Sequence, residues 1–198
     1  KRTQSALWDR GKMRLHKITS NSTELLEQFD SGDLAKGLKD LDLSSDELPT
    51  QRSLGVSWDI GTDEITFQIS PDVKPFTRRG ALSTINSIYD PVGFAAPVII
   101  RGKLLLREMI GSSVVNWDDI LSDSYLEQWE AWVTSLKGLE TLRIPRMYTT
   151  VSFATATLRE IHIFSDASKE AIGAVAYLKL SDGNSTEISV VMGKAKVA

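Results

Sequence analysis

The sequence predicts a mixed α+β fold, and three stretches of the chain lead to that prediction. Residues 52–69 alternate apolar and polar side chains around Gly61-Thr62-Asp63, which is the pattern of a β-hairpin. Residues 74–136 carry apolar side chains at helical spacing. Residues 158–192 contain short apolar or alternating runs separated by turn residues, which is typical of an antiparallel meander.

Composition narrows the class of protein. The 198 residues suffice for one large domain or two small ones. The net charge of −3 gives no overall case for nucleic-acid binding, so such binding would need locally basic surfaces. The absence of cysteine excludes disulfides, zinc fingers and thiol nucleophiles. No apolar run has membrane-spanning length and the charged start is not a signal peptide, so we expect an intracellular protein without a membrane partner.

The first 50 residues predict a helix, a strand, a second short helix and an acidic surface insertion. A helix should end at Gly11, and the alternation over 13–18 predicts a half-buried strand. Ser22 should cap a short helix that continues to Phe29. Residues 30–50 are rich in acids and are interpreted as a surface insertion.

The central stretch predicts two helices separated by Asp90-Pro91-Val92-Gly93, because proline and glycine interrupt a helix. A third helix should begin after Ser122 or Asp123 and bury two tryptophans on one stripe. Gly138 should end that helix, and residues 149–157 form the best boundary candidate before the final strands.

Residues 77–109, TRRGALSTINSIYDPVGFAAPVIIRGKLLLREM, resemble the segment that follows the polymerase palm in the Pol polyprotein of BEL/Pao-type LTR retrotransposons. The later runs HIFSDAS (162–168) and IGAVAYL (172–178) resemble the first hairpin of retroelement ribonuclease H. The resemblance implies three parts: the end of a reverse transcriptase palm over 1–73, a helical thumb or connection over 74–150, and the start of a ribonuclease H-like sheet over 151–198. The abrupt start and end lead us to expect a fragment of a longer polyprotein.

The resemblance also assigns residues to nucleic acid. Lys17 would lie near nucleotide phosphates, and Leu54 and Gly55 would belong to a primer-grip hairpin. The basic pair Arg78 and Arg79 opens the central stretch, and we expect it to bind nucleic acid through phosphates. The expected partners are an RNA–DNA hybrid or primer–template nucleic acid and the rest of the Pol polyprotein.

Asp166 matches the first metal-binding aspartate of ribonuclease H, so the resemblance makes it a catalytic residue and a ligand of Mg²⁺ in the complete parent protein. Cleavage of a phosphodiester by two Mg²⁺ ions needs several carboxylates held rigidly. The chain stops before the acids that the family would add, and the polymerase aspartates would precede Lys1. We therefore expect the isolated chain to be inactive.

Two other functions remain open at this point. Asp30-Ser31-Gly32 has the short motif of retroelement aspartic peptidases, which pair two carboxylates around a water, although such sequences are also ordinary turns. The chain could also be a module that holds nucleic acid without performing chemistry. A preceding apolar strand and β-rich surroundings would favour the peptidase.

Overall fold

The computed structural model describes residues 2–38, 49–53, 56–111 and 116–198. The chain divides into two units, Lys1–Ile65 and Thr66–Ala198. Helices occur together with antiparallel strands, so the predicted α+β class is confirmed.

In its described part, the first unit combines short helices with a small β-structure. Helix α1 spans Arg2–Gly11 and ends at the glycine that predicted its end. Helix α2 spans Thr23–Leu26, and the hydroxyl of Ser22 accepts a hydrogen bond from the Leu25 N–H at 3.3 Å, which confirms the predicted cap. Two 3-10 helices span Ser31–Asp33 and Lys36–Leu38; strands β1, β2 and β3 span Thr50–Ser53, Val56–Asp59 and Glu64–Thr66.

The hairpin predicted around residues 61–63 is present as β2 and β3. Strand β1 also pairs antiparallel with β2, and this second pairing was not predicted. Leu54 and Gly55 lie between β1 and β2 but outside the described residues. The proposed primer-grip role of these two residues therefore stays a prediction.

The strand predicted over residues 13–18 is wrong. Lys12 and Lys17 have φ angles of 53° and 59°, in the left-handed region that extended strands do not use. Only Ile18 makes a bridge, which is parallel and isolated, to Leu34. The alternation of side chains was real, but the backbone turns at Lys17, so the residues before Ile18 form no ladder.

The second unit begins with the two predicted helices. Helix α3 spans Arg78–Ser87 and helix α4 spans Ala96–Gly111, separated by the predicted interruption. The carboxylate of Asp90 organises that interruption by accepting hydrogen bonds from three successive backbone N–H groups, those of residues 93, 94 and 95, at 2.8–2.9 Å. These N–H groups lie immediately before α4, so the carboxylate fixes the turn that leads into the helix.

Helix α5 spans Leu126–Ser135 and follows a 3-10 turn capped by Ser122. Trp129 and Trp132 are buried in the core of this unit, as predicted. Gly138 was expected to end the helix, and this was wrong, because a 3-10 helix continues through it to Thr141. Strand β4 spans Arg143–Pro145. The core consists of Phe67, Ala81, Ile85, Ile88, Ala95, Ile99, Leu106, Met109, Leu121, Trp129, Trp132, Leu136 and Leu139.

The predicted meander is confirmed. Strands β5, β6 and β7 span Leu158–Ala167, Ala171–Ser181 and Thr186–Val197, and they pair antiparallel in the order β5-β6-β7. Leu178 and Leu180 of β6 pack with Val151 and Ala156 in a small core. Ile161 and Ile163 of β5 lie outside this core, since they are 58% and 71% exposed.

Candidate functional site

Asp166 lies one residue before the end of β5, on an exposed part of the strand. It pairs with Gly173 of β6, which in turn pairs with Ala195 of β7. A side chain added at Gly173 would meet no atom within 4 Å, so the space beside the Asp166 carboxylate is open. One carboxylate oxygen accepts a hydrogen bond from the Ala167 N–H at 2.8 Å, and this bond orients the group.

The surroundings of Asp166 form a shallow cavity of about 370 Å³ whose lining is dominated by small residues. The cavity is closed at one end by the β5–β6 turn. In that turn the Ser168 N–H donates to the Ala171 carbonyl at 2.9 Å, and the Ser168 hydroxyl accepts from two backbone N–H groups at 3.1 Å. A fixed turn and small side chains leave room for a cation and a phosphate group next to one carboxylate.

An aromatic pair extends the site along the same face of the sheet. Phe164 is two residues before Asp166, so both side chains point to one face. The Phe164 and Tyr177 rings meet edge to face with centroids 5.9 Å apart, and Phe164 is 60% exposed. We call this pair of rings, Phe164 and Tyr177, the aromatic platform. Sequence reasoning missed it, although the period-2 spacing of Phe164 and Asp166 was a signal that could have revealed it.

A charged cluster lies further along this face. The Glu160 carboxylate accepts from His162 and is within 3.1 Å of both His162 Nε2 and Lys179 Nζ. The hydrogen bonds from His162 and then Lys179 hold the pKa of Glu160 below its ordinary value. The aromatic platform thus lies between Asp166 at one end and this mixed-charge cluster at the other.

These residues do not by themselves fit a complete two-metal site. Among the described residues, no group of three or more His, Cys, Asp or Glu side chains is arranged to hold a metal ion. Asp166 can offer one carboxylate ligand, and it is the only acid among the described residues that line its cavity.

The family model described as Pao retrotransposon-like RNaseH-like domain matches residues 77–198. The chain belongs to this family. The predicted resemblance to a BEL/Pao-type Pol segment is therefore confirmed, and the ribonuclease H-like character of the sheet with it. No curated protein matches the chain. The Pao match begins just before α3 and runs through β7, so it includes both the central helices and the sheet.

Ribonuclease H-like domains generally use divalent metals, and the fold suggests nucleic acid as a partner of this Pao domain. None of the helices in the described part of the chain combines the length and the apolar character needed to cross a membrane. The domain boundaries expected after residues 73 and 150 stay a prediction.

The two arginines that open the Pao match have different environments. Arg78 is only 6% exposed, and its guanidinium donates to the carbonyls of Met109 and Ile110 at 3.0 and 3.3 Å. Arg79 is exposed and forms a two-point ion pair with Asp118, at 2.6 and 3.1 Å. The position of Arg78 argues against the predicted phosphate contact, whereas Arg79 could exchange its carboxylate partner for a phosphate.

The ion pair changes the acid–base properties of both partners. The hydrogen bond from Arg79 lowers the pKa of Asp118, and the hydrogen bond to Asp118 raises the pKa of Arg79. Both groups are well exposed, so solvent screens the pair and it contributes little to stability.

The other predicted site residues lie in the first unit, outside the Pao match. Lys17 is exposed, and its left-handed backbone places it in a turn instead of on the predicted strand. Asp30 immediately precedes the 3-10 helix Ser31–Asp33 and does not end a strand. The described residues around it therefore lack the strand that the aspartic peptidase motif requires.

Proposed function

We propose that this chain is a Pol segment that handles an RNA–DNA hybrid and that Asp166 faces the RNA strand. The observation that carries the proposal is the exposed Asp166 carboxylate at the end of β5, beside a cavity lined mostly by small residues and on the same face as an exposed aromatic pair. Membership of the Pao ribonuclease H-like family supports the substrate class. The proposal includes the palm assignment of residues 1–73 and an intracellular location.

The protein's own residues would have distinct tasks at this site. Asp166 would supply one carboxylate ligand to Mg²⁺, a hard cation that prefers oxygen ligands. Phe164 would offer a flat apolar surface to a sugar or base, since aromatic side chains stack on nucleotides. Because the described residues do not complete the metal site, the remaining ligands would have to come from other parts of the Pol polyprotein.

The single carboxylate also favours a second function for this chain when it is alone, which is to hold nucleic acid without cleaving it. Two-metal phosphodiester cleavage needs more ligands than Asp166 provides. We therefore expect the purified chain to show no cleavage of an RNA–DNA hybrid with Mg²⁺. Mg²⁺-dependent cleavage by this chain alone, lost in Asp166→Asn, would contradict that expectation.

The decisive experiment places Asp166→Asn in the complete Pol polyprotein and measures hybrid cleavage together with thermal stability. We expect cleavage to be lost and stability to stay equal or rise slightly, because removal of one carboxylate relieves repulsion from neighbouring acids in the metal site. Asp182→Ala is the matched control, since Asp182 organises the β6–β7 turn by accepting from the Asn184 and Ser185 N–H groups at 2.9 Å.

The control should lower stability and leave cleavage per folded molecule intact. If Asp166→Asn instead lowered stability as Asp182→Ala does, with cleavage falling only in proportion, Asp166 would be a turn residue and the proposed metal role would be wrong.

A further inference from the structure

A groove of about 440 Å³ lies between helices α4 and α5 of the second unit. Each helix contributes residues that are three, four or seven positions apart, and such residues share one face of a helix. We call this feature the α4–α5 groove. Its α4 wall consists of Arg101, Leu104, Leu105 and Glu108, and residues 128, 131, 132 and 135 of α5 form the other wall.

The floor of the α4–α5 groove is fixed by a close contact between the two helices. A side chain added at Gly102 of α4 would overlap the ring of Trp132 of α5, so the glycine lets the helices approach closely. Trp132 is 5% exposed, and its Nε1 donates a hydrogen bond to the Val98 carbonyl of α4 at 2.9 Å. The groove is therefore a preformed surface with fixed walls.

The α4 wall carries opposite charges at its two ends. Arg101 and Glu108 are exposed and lie seven residues apart, so they point to the same side of the helix about 10 Å from each other along its axis. Neither forms an ion pair with a described residue, and the residues 112–115 that follow α4 are uncharged serines and valines. Between the charges, Leu105 packs against the core, whereas Leu104 is not among the described residues that do so.

This stripe is complementary to a reversed copy of itself. Along α4 it runs from a cation through two leucines to an anion, so an antiparallel copy runs from an anion through two leucines to a cation. Two copies related by a two-fold axis between the leucines would pair Arg101 with Glu108 of the second copy at both ends. A parallel arrangement would instead place like charges together. Self-complementarity of one surface is what an isologous contact requires.

We propose that the α4–α5 groove is a contact between two copies of this chain, in which the two α4 helices lie antiparallel across a two-fold axis. Leu104 of each copy enters the groove of the other and lies over Trp132. Ala131 and Ser135 of α5 are small and exposed, so they leave room for a second helix at the usual interaxial distance of about 8–10 Å. The contact does not involve Asp166 and does not depend on the proposed function.

Charge reversal tests the pairing, because either reversal alone turns both attractive contacts of the dimer into repulsive ones. Arg101→Glu brings two carboxylates together at each end, and Glu108→Arg brings two guanidinium groups together. A mixture of the two variants is again complementary at both ends. Glu130→Arg and Lys137→Glu are the matched controls, since they make the same changes of charge at exposed positions that do not line the groove.

Sedimentation equilibrium of the full chain over a series of concentrations measures the dissociation constant of the dimer, and circular dichroism checks that each variant is folded. Either reversal should raise this constant at least about tenfold, because it removes two exposed ion pairs and adds two repulsions of similar size. The equimolar mixture of Arg101→Glu and Glu108→Arg should return to within about threefold of the original value. The control variants should keep the original value. The effect of either reversal should shrink at about 1 M salt, where charges are screened beyond about 3 Å.

Cross-linking locates the two-fold axis. The chain has no cysteine, so a single introduced thiol reports on one position. Leu104→Cys should be linked efficiently to a second copy by a short bis-maleimide, and Glu130→Cys should be linked only slowly. An original chain that stays monomeric up to millimolar concentration would overturn the proposal. So would a dimer that neither reversal weakens, or a mixture of the reversals that associates no better than each variant alone. None of these measurements involves hybrid cleavage, so they are independent of the metal role proposed for Asp166.

Discussion

Replacement of Arg78 by Met should destabilise the second unit substantially. Methionine retains a flexible apolar side chain but removes the guanidinium that donates to two carbonyls at the end of α4, those of Met109 and Ile110. The last carbonyls of a helix have no partner within it. The last turn of α4 contains no basic residue, so Arg78 of α3 provides the positive charge that this turn lacks.

The size of the expected loss in the free energy of unfolding follows from the burial of the Arg78 contact. Arg78 is 6% exposed and Met109 is completely buried, so water cannot readily replace the lost donors. Each of the two hydrogen bonds from the charged guanidinium is worth about 1.5–3 kcal/mol, and favourable placement at a helix C-terminus adds roughly 0.3–1 kcal/mol. Part of this is offset because the guanidinium no longer has to be desolvated. We expect a net loss of about 2–4 kcal/mol in the free energy of unfolding.

Urea denaturation monitored by tryptophan fluorescence measures this loss, because Trp129 and Trp132 lie in the core of the same unit. Arg79→Met is the matched control: it removes the same charge from the next residue, but from an exposed ion pair, and should give no resolvable change in stability. If Arg78→Met changed the free energy of unfolding by less than about 0.5 kcal/mol, the usual range for surface substitutions, the structural role of Arg78 would be refuted.

Three further changes test the framework around the sheet. Asp90→Ala removes the acceptor of three backbone N–H groups and should cost about 1–3 kcal/mol of unfolding free energy, measured by urea denaturation. Gly93→Ala should also destabilise, because Gly93 has a φ angle of 89° and an added side chain would overlap the Gly193 backbone; unchanged thermal stability would contradict this close approach. Glu187 accepts hydrogen bonds chiefly from Thr149 and also from Thr150, and these bonds lower its pKa. Its contribution to stability is therefore complete above the ordinary glutamate pKa of about 4.3. That contribution is lost as pH falls through the lower pKa that Glu187 has in the folded protein. Glu187→Gln should therefore give a flatter dependence of stability on pH below about 4.3, and an unchanged pH profile would refute this role.

Local signals in the sequence predicted most elements correctly. The interruption at Asp90–Gly93 and the caps at Ser22 and Ser122 each depend on a few neighbouring residues. Caps and turns are decided by hydrogen bonds over three or four positions, which a sequence displays directly. The same local logic failed over residues 13–18, since side-chain alternation does not reveal whether a partner strand is present.

The candidate site was predicted only in part. Asp166 was identified by resemblance, and its place at the end of β5 agrees with the expected hairpin. The groove of about 1090 Å³ in the first unit could not be predicted, because its lining comes from segments around Lys17, Lys36 and Arg52 that are far apart in sequence. Their shared surface depends on the bridge between Ile18 and Leu34 and on the pairing of β1 with β2.

The sequence by itself determined the helices of the central stretch, the strands of the final meander and the family, because each of these depends on contiguous residues. Only the tertiary structure decided which of two adjacent arginines is buried. Successive residues of a helix point about 100° apart, so α3 directs Arg78 towards the end of α4 and Arg79 towards Asp118. Two neighbouring arginines that look equivalent in the sequence thus have different roles, since burial depends on which parts of the fold pack against each face of the helix.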